Sequence, residues 1–587
     1  MNEHNAVLEI DGDHLSIPDV VAVARAGRPV AESLSPTARA KVEASRAWVD
    51  NLVREGRYHA YGINTGFGIF SNRHLEPGET ELLTRNLILS HTCGVSSPLP
   101  DDVVRATMLI RANTLAKGYS GVRPVVIETL LKMLNRRVHP VMPSMGSLGA
   151  SGDLAPLSHL ALVLSAPLEG ESAAQDPFGY AGGRARFGGR EMTGAEAMAA
   201  AGLPRLQLLA KEGLALNNGA TVSAAMAALV VHDAVELVKH AEIALAMSLE
   251  AVRGTLDAFH VLPHRVRNHR GQQASAANVR RLARGSELAA HGPQEETIHD
   301  AYSLRCGPQV LGAVRDVLRF VWDTITDEIN AATDNPLLFV DDPELDPARV
   351  IRAISCGNFH GEPVAFALDF LSIALTELAS IAERRLFRLT DNMLSRGLPL
   401  MLLEVDKAGL NSGMMIAQYT AAALVSECKT LAHPDSVDSI PSSADWEDHV
   451  SMSMNAGLHA LKVLENARYV VAIEMLCAAQ ALDFRLAGLH FWREEPWRKE
   501  NGKWRKDVCM YKWETEPLAP GVGTRAAYET IRAAASKVEQ DRPLHPDIER
   551  IAAMIADGTV LRAVEAAIGA PLLGIEITDQ AALESAG

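Results

Sequence analysis

Cysteine is scarce and scattered in this sequence of 587 residues. The six cysteines are widely spaced, and no two stand at the short spacing that metal ligands need. This scarcity excludes a cysteine-based metal site and is typical of a protein that works in a reducing cytosol. The residues are Cys93, Cys306, Cys356, Cys428, Cys477 and Cys509.

The sequence also lacks an excess of positive charge and any membrane signal. It carries 56 Lys and Arg against 72 Asp and Glu, a formal charge of −16 at pH 7. That field repels phosphate backbones, so we expect no nucleic-acid partner. The first residues lack the basic and apolar regions of a signal peptide, and no uncharged apolar run reaches the ~20 residues that cross a bilayer. We therefore expect a soluble, cytoplasmic protein with no membrane partner.

Aromatic residues are few, at 5% of the sequence, while Ala and Leu dominate the apolar positions. This composition favours helices, because strands prefer β-branched and aromatic side chains. Glycine and proline, which interrupt helices, are absent from four long stretches. These stretches are 221–253, 364–396, 414–433 and 458–487. We therefore predict a mainly α fold with a core of long amphipathic helices packed side by side as a bundle.

Changes in composition along the chain predict three domains. They are a loop-rich N-terminal domain at 1–210, a central long-helix bundle at 211–490 and a C-terminal helical region at 491–587. The last contains an insertion, 493–506, in which Trp497 and Trp504 alternate with cations. A nucleic-acid patch is one interpretation, but the acids of the insertion favour an exposed segment of mixed charge. Helices this long would expose apolar surface in a single subunit, so we expect an oligomer.

The segment 146–153, with sequence GSLGASGD, is the strongest chemical signal. A phosphate loop would carry Lys after its last glycine, but Asp153 stands there and would repel a phosphate. A simple turn with a helix cap at Asp153 is a second interpretation. The third is covalent: the amide nitrogen of Gly152 attacks the carbonyl of Ala150, and loss of water from Ser151 leaves an electrophilic methylene. Only glycine leaves room at the attacking nitrogen.

Seven motifs follow one another along nearly the whole chain. They are YGINTGFG at 61–68, NLILSHTCG at 86–94, GSLGASGDL at 146–154, KEGLALNNG at 211–219, AYSLRCGP at 301–308, GNFHGEP at 357–363 and EDHVSM at 447–452. Together they resemble the motifs of the aromatic amino acid ammonia-lyase and aminomutase family. The resemblance implies that Ala150, Ser151 and Gly152 form 4-methylidene-imidazol-5-one autocatalytically. It implies no metal and no diffusible cofactor.

The resemblance also implies roles for single residues. The methylene derived from Ser151 captures the amino group of the substrate, and Tyr61 takes the proton from the β-carbon. Tyr302 assists near the prosthetic group. Arg305 grips the substrate carboxylate in a bidentate manner, and Asn218 forms hydrogen bonds near the same end. The family further implies a homotetramer in which each active site is assembled from several subunits.

Ser90, His91 and Glu447 indicate which amino acid is bound. The Ser-His pair resembles that of the histidine lyases of this family, whereas phenylalanine and tyrosine lyases tend to carry other residues at this position. A carboxylate such as Glu447 would be costly beside a phenyl ring, whereas an imidazole N–H satisfies it. Phe359, in the GNFHGEP motif, is a further expected substrate-binding residue. We therefore expect ammonia to be eliminated from L-histidine, giving trans-urocanate.

Several positions depart from the family pattern. His299 stands where a glutamine is usual, Asp445 and Trp446 replace an Asn-Gln pair, and Ala220 replaces a threonine. We include His299 and Trp446 among the substrate-binding residues and predict an ion pair between His299 and Asp445. The departures leave open a phenylalanine, tyrosine or substituted-arylalanine lyase, a 2,3-aminomutase, and a scaffold without activity. The fumarase and aspartase superfamily is excluded because its serine-loop signature is missing.

Overall fold

The computed structural model describes residues 6–289, 299–340, 342–346, 350–494, 497–501, 503–506, 509–576 and 583. Contacts divide the chain into two compact units, each made of three chain segments. The first unit comprises Met1–His232, Val321–Phe370 and Pro434–Leu461, and the second comprises Asp233–Phe320, Leu371–His433 and Lys462–Gly587. Four of the five boundaries between these segments fall inside long helices, and the division at residues 210 and 490 stays a prediction.

The fold is mainly α, as the composition predicts. The helices up to residue 217 are α1 (Ile17–Val21), α2 (Pro36–Glu55), α3 (Thr80–His91), α4 (Asp101–Ala116), α5 (Pro124–Arg136), α6 (Leu154–Leu164), α7 (Pro177–Tyr180), α8 (Gly194–Ala200) and α9 (Glu212–Asn217). The later ones are α10 (Thr221–Ala251), α11 (Val261–Arg267), α12 (Arg270–Leu282), α13 (Tyr302–Arg305), α14 (Gly307–Glu328), α15 (Glu362–Thr390), α16 (Met415–Leu431), α17 (Ser453–Leu486), α18 (Val522–Ala534), α19 (His545–Ala556) and α20 (Thr559–Ile568).

The strands are short and antiparallel. The pairs are β1 (Val95–Pro98) with β3 (Pro143–Met145), and β6 (Leu337–Leu338) with β7 (Ala353–Ile354). A three-stranded sheet has the order β2 (His139–Pro140), β4 (Arg184–Phe187), β5 (Arg190–Thr193). Strand β8 (Leu489–Glu494) pairs with β11 (Cys509–Glu514), and β9 (Trp497–Glu500) pairs with β10 (Lys503–Lys506). Within the 493–506 insertion, the described residues include the paired strands β9 and β10, in which Trp497 and Trp504 are 63% and 65% exposed.

Local sequence sets the helix ends. Helix α2 begins after Ser35, whose side chain accepts a hydrogen bond from the amide of Ala38, and Pro36 occupies its first turn. Proline suits this place because the amide it lacks would have no partner there. The helix ends at Gly56, which has the left-handed backbone that glycine adopts readily. Such caps define helices whose apolar faces then pack.

The four stretches without glycine and proline form the predicted long helices. They correspond to α10, α15, α16 and α17, and their apolar residues form much of the buried core. The exposed side of α15 is not its polar side. Ser372 and Thr376 are buried, whereas Phe366, Phe370 and Ile373 are 44–46% exposed. The open face of this helix is therefore apolar, as expected of a chain that associates.

Two helices, α10 and α15, are long and apolar enough to cross a membrane by length and composition alone. Their most apolar windows are 78% and 72% buried inside the fold. A core helix passes the same test of length and composition. The burial of α10 and α15 supports their assignment as core helices.

Candidate active site

A cavity of about 1020 Å³ in the first unit contains most of the predicted site residues. The predicted residues that line it are Tyr61, Ser90, His91, Ala150, Ser151, Asn218, Phe359, Trp446 and Glu447. These residues come from six separate parts of the sequence, so the fold is what brings them together. Gly152 follows directly in the same loop.

The tripeptide Ala150-Ser151-Gly152 lies in a tightly bent loop before α6. Gly149 and Gly152 have φ of 68° and 77°, values that residues with a side chain rarely adopt. Ser147 holds the bend from within, because its Oγ accepts the amide hydrogen of Gly149 at 3.1 Å and donates to Asp153 at 2.9 Å. The loop is therefore curled around one serine hydroxyl.

Gly152 lies backbone to backbone against Gly219. A Cβ atom added to Gly152 would lie 2.1 Å from the carbonyl carbon of Gly219, so only glycine fits. The carbonyl oxygen of Ser151 receives two hydrogen bonds, from Nδ2 of Asn218 at 2.7 Å and from the amide of Gly219 at 3.2 Å. Two donors aimed at one carbonyl oxygen stabilise negative charge that develops there.

Asp153 is fully buried and does not cap α6, contrary to the simplest interpretation of the sequence. Its carboxylate accepts hydrogen bonds from the amide and the hydroxyl of Ser223 and from the hydroxyl of Ser147. Ser223 lies in the first turn of α10, so Asp153 accepts a hydrogen bond from the N-terminus of that helix instead. Burial raises the pKa of Asp153, and these hydrogen bonds lower it in part.

Two other segments pack on the outer side of the loop. The amide of Gly361 and the hydroxyl of Ser451 donate to the carbonyl oxygen of Gly149, at 3.1 Å and 3.0 Å. Ala150 is buried against Val450 and Met452. The bent loop is thus clamped from several sides before any molecule binds.

Ser151 makes a contact that sequence reasoning missed. Its hydroxyl donates a hydrogen bond to Oε1 of Glu447 at 2.7 Å, and Oε2 of the same carboxylate accepts from Ser442 at 3.2 Å. The two positions are 296 residues apart, so no local pattern could indicate the pairing. Glu447 therefore faces both the tripeptide and the open cavity.

Tyr61 is half-buried at the cavity wall. Its phenol oxygen accepts the amide hydrogen of Gly68 at 3.2 Å, which fixes the ring within the glycine-rich segment 61–68. Among the described residues, the phenol donates no hydrogen bond to the protein. This geometry is suitable for a group that exchanges a proton with a bound molecule.

Ser90 and His91 form the end of α3. The Ser90 hydroxyl donates to the carbonyl of Leu87, so it accepts from Nδ1 of His91 at 3.0 Å. This network leaves Nε2 of His91 as a hydrogen-bond acceptor. Burial lowers the pKa of His91, while the nearby charge of Glu447 acts in the opposite direction. His91 is therefore neutral near pH 7.

Besides Gly152, three predicted site residues are not among those that line this cavity. His299, Tyr302 and Arg305 lie in the second unit, where His299 is exposed and Tyr302 is 71% exposed. The Arg305 guanidinium lies 4.8 Å from the centre of the Tyr302 ring. No ion pair between His299 and Asp445 occurs among the described residues of this single chain, and that pairing stays a prediction.

The cavity also contains residues that the sequence analysis did not single out, among them Cys356, His360 and His449. Nδ1 of His360 accepts from the amide of Glu362, so its Nε2 donates to the carbonyl of His449 at 3.3 Å. Both histidines stand inside motifs that carry the family resemblance, which is the signal that could have indicated them. Their contact ties the segment of Phe359 to that of Glu447.

Of the substituted positions, Trp446 lines the cavity and is 58% exposed. Asp445 next to it has a positive φ of 64°, and Ala220, two residues after Asn218, is buried. Trp446 is the departure best placed to contact a bound molecule. Within the described residues, no cluster of His, Cys, Asp and Glu has the geometry of a metal site.

Comparisons with known proteins agree with this geometry. The family model for aromatic amino acid lyases matches residues 15–509. A histidine ammonia-lyase of Gloeobacter violaceus is 48% identical over 562 residues, which cover 96% of this chain and 98% of that protein. One from Myxococcus xanthus is 45% identical over 558 residues, covering 95% and 98%.

Solved structures are similar over the same extent. Histidine ammonia-lyase from Trypanosoma cruzi has a TM-score of 0.80 and 35% identity, covering 98% of this chain and 100% of that one. Tyrosine aminomutase from Streptomyces globisporus has a TM-score of 0.83 and 34% identity, covering 97% and 100%. The two enzymes differ in reaction, so the fold alone does not choose between elimination and amino-group transfer.

Proposed function

Because this chain belongs to the aromatic amino acid lyase family, we propose that it is an ammonia-lyase that converts L-histidine to trans-urocanate and ammonia. The observation that carries the proposal is the single cavity in which Ser151, Tyr61, His91 and Glu447 meet. The Cα–N bond breaks in this reaction, a proton leaves the β-carbon, and ammonia departs. The amino group is a poor leaving group and the β-proton is weakly acidic, so both ends need assistance.

The tripeptide suits the prosthetic group that the family implies. Ala150, Ser151 and Gly152 would form 4-methylidene-imidazol-5-one, and two observations support the fit. The position of Gly152 excludes any Cβ atom, and the carbonyl of Ser151, which would become the ring carbonyl, already has two hydrogen-bond donors. When formed, this ring supplies an electrophilic methylene for the amino group. No metal or diffusible cofactor is part of the proposal.

Tyr61 is the proposed base for the β-proton. Its oxygen is fixed by the amide of Gly68, and its ring lies in the wall of the same cavity as Ser151. A general base must reach the proton that it removes in a productive pose of the substrate. Asn218 lies next to the tripeptide, where its side-chain amide donates to the carbonyl of Ser151.

Histidine is favoured as substrate by the charge arrangement at the cavity wall. Nε2 of neutral His91 accepts a hydrogen bond, and the carboxylate of Glu447 accepts as well, so both can receive an imidazole N–H. A phenyl ring has no N–H to donate, so it would displace water from these acceptors without replacing the hydrogen bonds, which costs free energy. Phe359 supplies apolar contact for the ring.

We propose that Tyr302, Arg305 and His299 enter each active site from a neighbouring subunit of a homotetramer. The exposure of Tyr302 and the apolar open face of α15 support this arrangement, because exposed apolar surface of this kind marks a protein–protein interface. Arg305 would then bind the substrate carboxylate through two parallel hydrogen bonds. We place this enzyme of histidine metabolism in the cytoplasm.

A second candidate rests on Trp446, which stands at the cavity where the family usually has a glutamine. An indole at this position offers a stacking surface for a larger aromatic ring. The alternative is therefore a lyase for phenylalanine, tyrosine or a substituted arylalanine, or an aminomutase that returns the amino group to the β-carbon. A scaffold without activity is the remote alternative.

The proposal is tested by incubating the protein separately with L-histidine, L-phenylalanine and L-tyrosine. The absorbance of urocanate, cinnamate and coumarate follows each elimination, and chromatography detects β-amino acids. We expect urocanate from histidine, and no product from the Ser151→Ala variant, which loses only the hydroxyl. Cinnamate, coumarate or a β-amino acid without urocanate would overturn histidine as substrate, and no product at all would favour the scaffold.

A further inference from the structure

Arg111 is a buried cation that the proposed reaction does not use. It lies on α4 with 0% exposure, and its guanidinium donates to the carbonyl of Ala215 at 3.2 Å, to the carbonyl of Thr333 at 3.3 Å and to the hydroxyl of Thr221. Ala215 belongs to α9 and Thr221 begins α10. Arg111 therefore ties together the two helix ends that flank residues 218–220, which we call the Gly219 turn.

The guanidinium also forms the back wall of this turn. A Cβ atom added to Gly219 would lie 2.6 Å from Nη2 of Arg111 and 2.4 Å from the carbonyl oxygen of Thr333. On its other side Gly219 touches Gly152. The order in space is thus Arg111, the Gly219 peptide and the tripeptide loop, with no room for a side chain at either glycine.

Charge keeps Arg111 in this place. Burial lowers its pKa to about 10, and the carboxylates of Asp334, Asp153 and Glu328 act in the opposite direction. The side chain therefore stays protonated near neutral pH, with all its hydrogens available to donate. Lys211, the other buried cation here, is bound to Asp334 at 2.6 Å and does not reach the turn as a donor.

We propose that Arg111 is a positioning residue for formation of the ring from Ala150, Ser151 and Gly152. It holds the Gly219 turn so that Asn218 and Gly219 donate to the carbonyl of Ser151 while Gly219 presses on Gly152. The inference rests on the proposed function, because the ring is part of the chemistry proposed there. Arg111 acts through the turn and does not touch the substrate.

The step that depends on this geometry balances without an oxidant. A bond forms between the nitrogen of Gly152 and the carbonyl carbon of Ala150, and the carbonyl oxygen leaves as water with the amide hydrogens of Gly152 and Ser151. A second water takes the Ser151 hydroxyl and its Cα hydrogen. Donors on the Ser151 carbonyl stabilise the negative charge that loss of the Cα hydrogen creates.

The experiment measures the intact mass of purified wild type and of Arg111→Met, Arg111→Lys and Thr221→Val, with size-exclusion chromatography of each. Wild type should lack the mass of two waters. Arg111→Met should elute like wild type with the full encoded mass and lose at least ~100-fold in turnover, the cost of a misplaced catalytic group. Arg111→Lys and Thr221→Val should give mixtures of full and dehydrated chains.

Arg105→Met is the matched control. Arg105 is also buried on α4, and it donates to the carbonyls of Val23, Ala24 and Leu134, away from the tripeptide loop. This variant should show complete dehydration. Complete dehydration in Arg111→Met would overturn the inference, and if that variant does not fold, complete dehydration in both Arg111→Lys and Thr221→Val would do so. A full-length mass in wild type would instead refute the prosthetic group.

Discussion

The hydroxyl of Tyr61 carries the most direct prediction about a single residue. Tyr61→Phe should lower kcat for urocanate formation by about 10³-fold, because a positioned acid or base contributes about 10²- to 10⁴-fold. The variant should keep the mass deficit of two waters, since the tripeptide is untouched. Steady-state absorbance and intact mass measure both.

Tyr58→Phe is the control for this substitution. Tyr58 is 44% exposed, and its one hydrogen bond to another described residue is through its backbone carbonyl, which accepts from Asn64. The control should turn over like wild type. Wild-type kcat in Tyr61→Phe would contradict the role of Tyr61 as base.

Single residues also show where sequence reasoning ends. Ser151, Tyr61 and Glu447 could be named as candidates from the sequence, because each lies in a motif that carries the family resemblance. The hydrogen bond between Ser151 and Glu447 does not follow, because it joins loops 296 residues apart. Asp153 shows the same limit, since its partner Ser223 lies in a helix that only the fold brings close.

Among the secondary-structure elements, the long helices were predictable and the strand pair β9 and β10 was not. Stretches without glycine and proline predicted the ends of α10, α15, α16 and α17 to within six residues, because glycine and proline interrupt helices. The strands β9 and β10 were not recognised from the sequence, because they lie in a run of mixed charge. The Asn-Gly pair at 501–502, a strong hairpin signal, was the available indication.

Glu250, where α10 meets α18, makes stability depend on pH. Its buried carboxylate accepts from the amide of Gly521 and the hydroxyl of Thr524, and burial raises its pKa from 4.5 to about 7. Between these values the folded chain keeps a proton that the unfolded chain releases. The carboxyl therefore stabilises the fold less as pH rises, and the loss is complete above the folded pKa.

Glu250→Gln should remove this dependence, since an amide does not titrate and can still bond Gly521 and Thr524. Relative to the variant, wild type should lose about 3 kcal/mol of stability between pH 4.5 and 7, at ~1.4 kcal/mol per pH unit. The Tm of both proteins across that range measures it. A difference in Tm that does not change with pH would contradict the prediction.

For the whole molecule, the central question is whether one chain makes a complete site. Tyr302 and Arg305 are not among the residues lining the cavity, and Phe366, Phe370 and Ile373 of α15 are exposed. If neighbouring subunits complete the site, two inactive variants should complement each other. Tetramers that mix Ser151→Ala and Arg305→Met chains should recover roughly a quarter of wild-type activity, the share of sites that receive both intact residues by chance.

Each variant expressed without the other is the control and should be inactive. The mixed protein is prepared by co-expression with two affinity tags and assayed for urocanate. Activity no higher than that of the separate variants would show that Ser151 and Arg305 act within one chain or not at all.

The most direct measurement of the central claim is the mass of the proteolytic peptide that contains Ala150, Ser151 and Gly152, taken from wild-type protein that is turning over histidine. The account predicts a peptide lighter by two waters, and an unmodified peptide from the Ser151→Ala variant. A peptide of full encoded mass from active wild-type protein would contradict it.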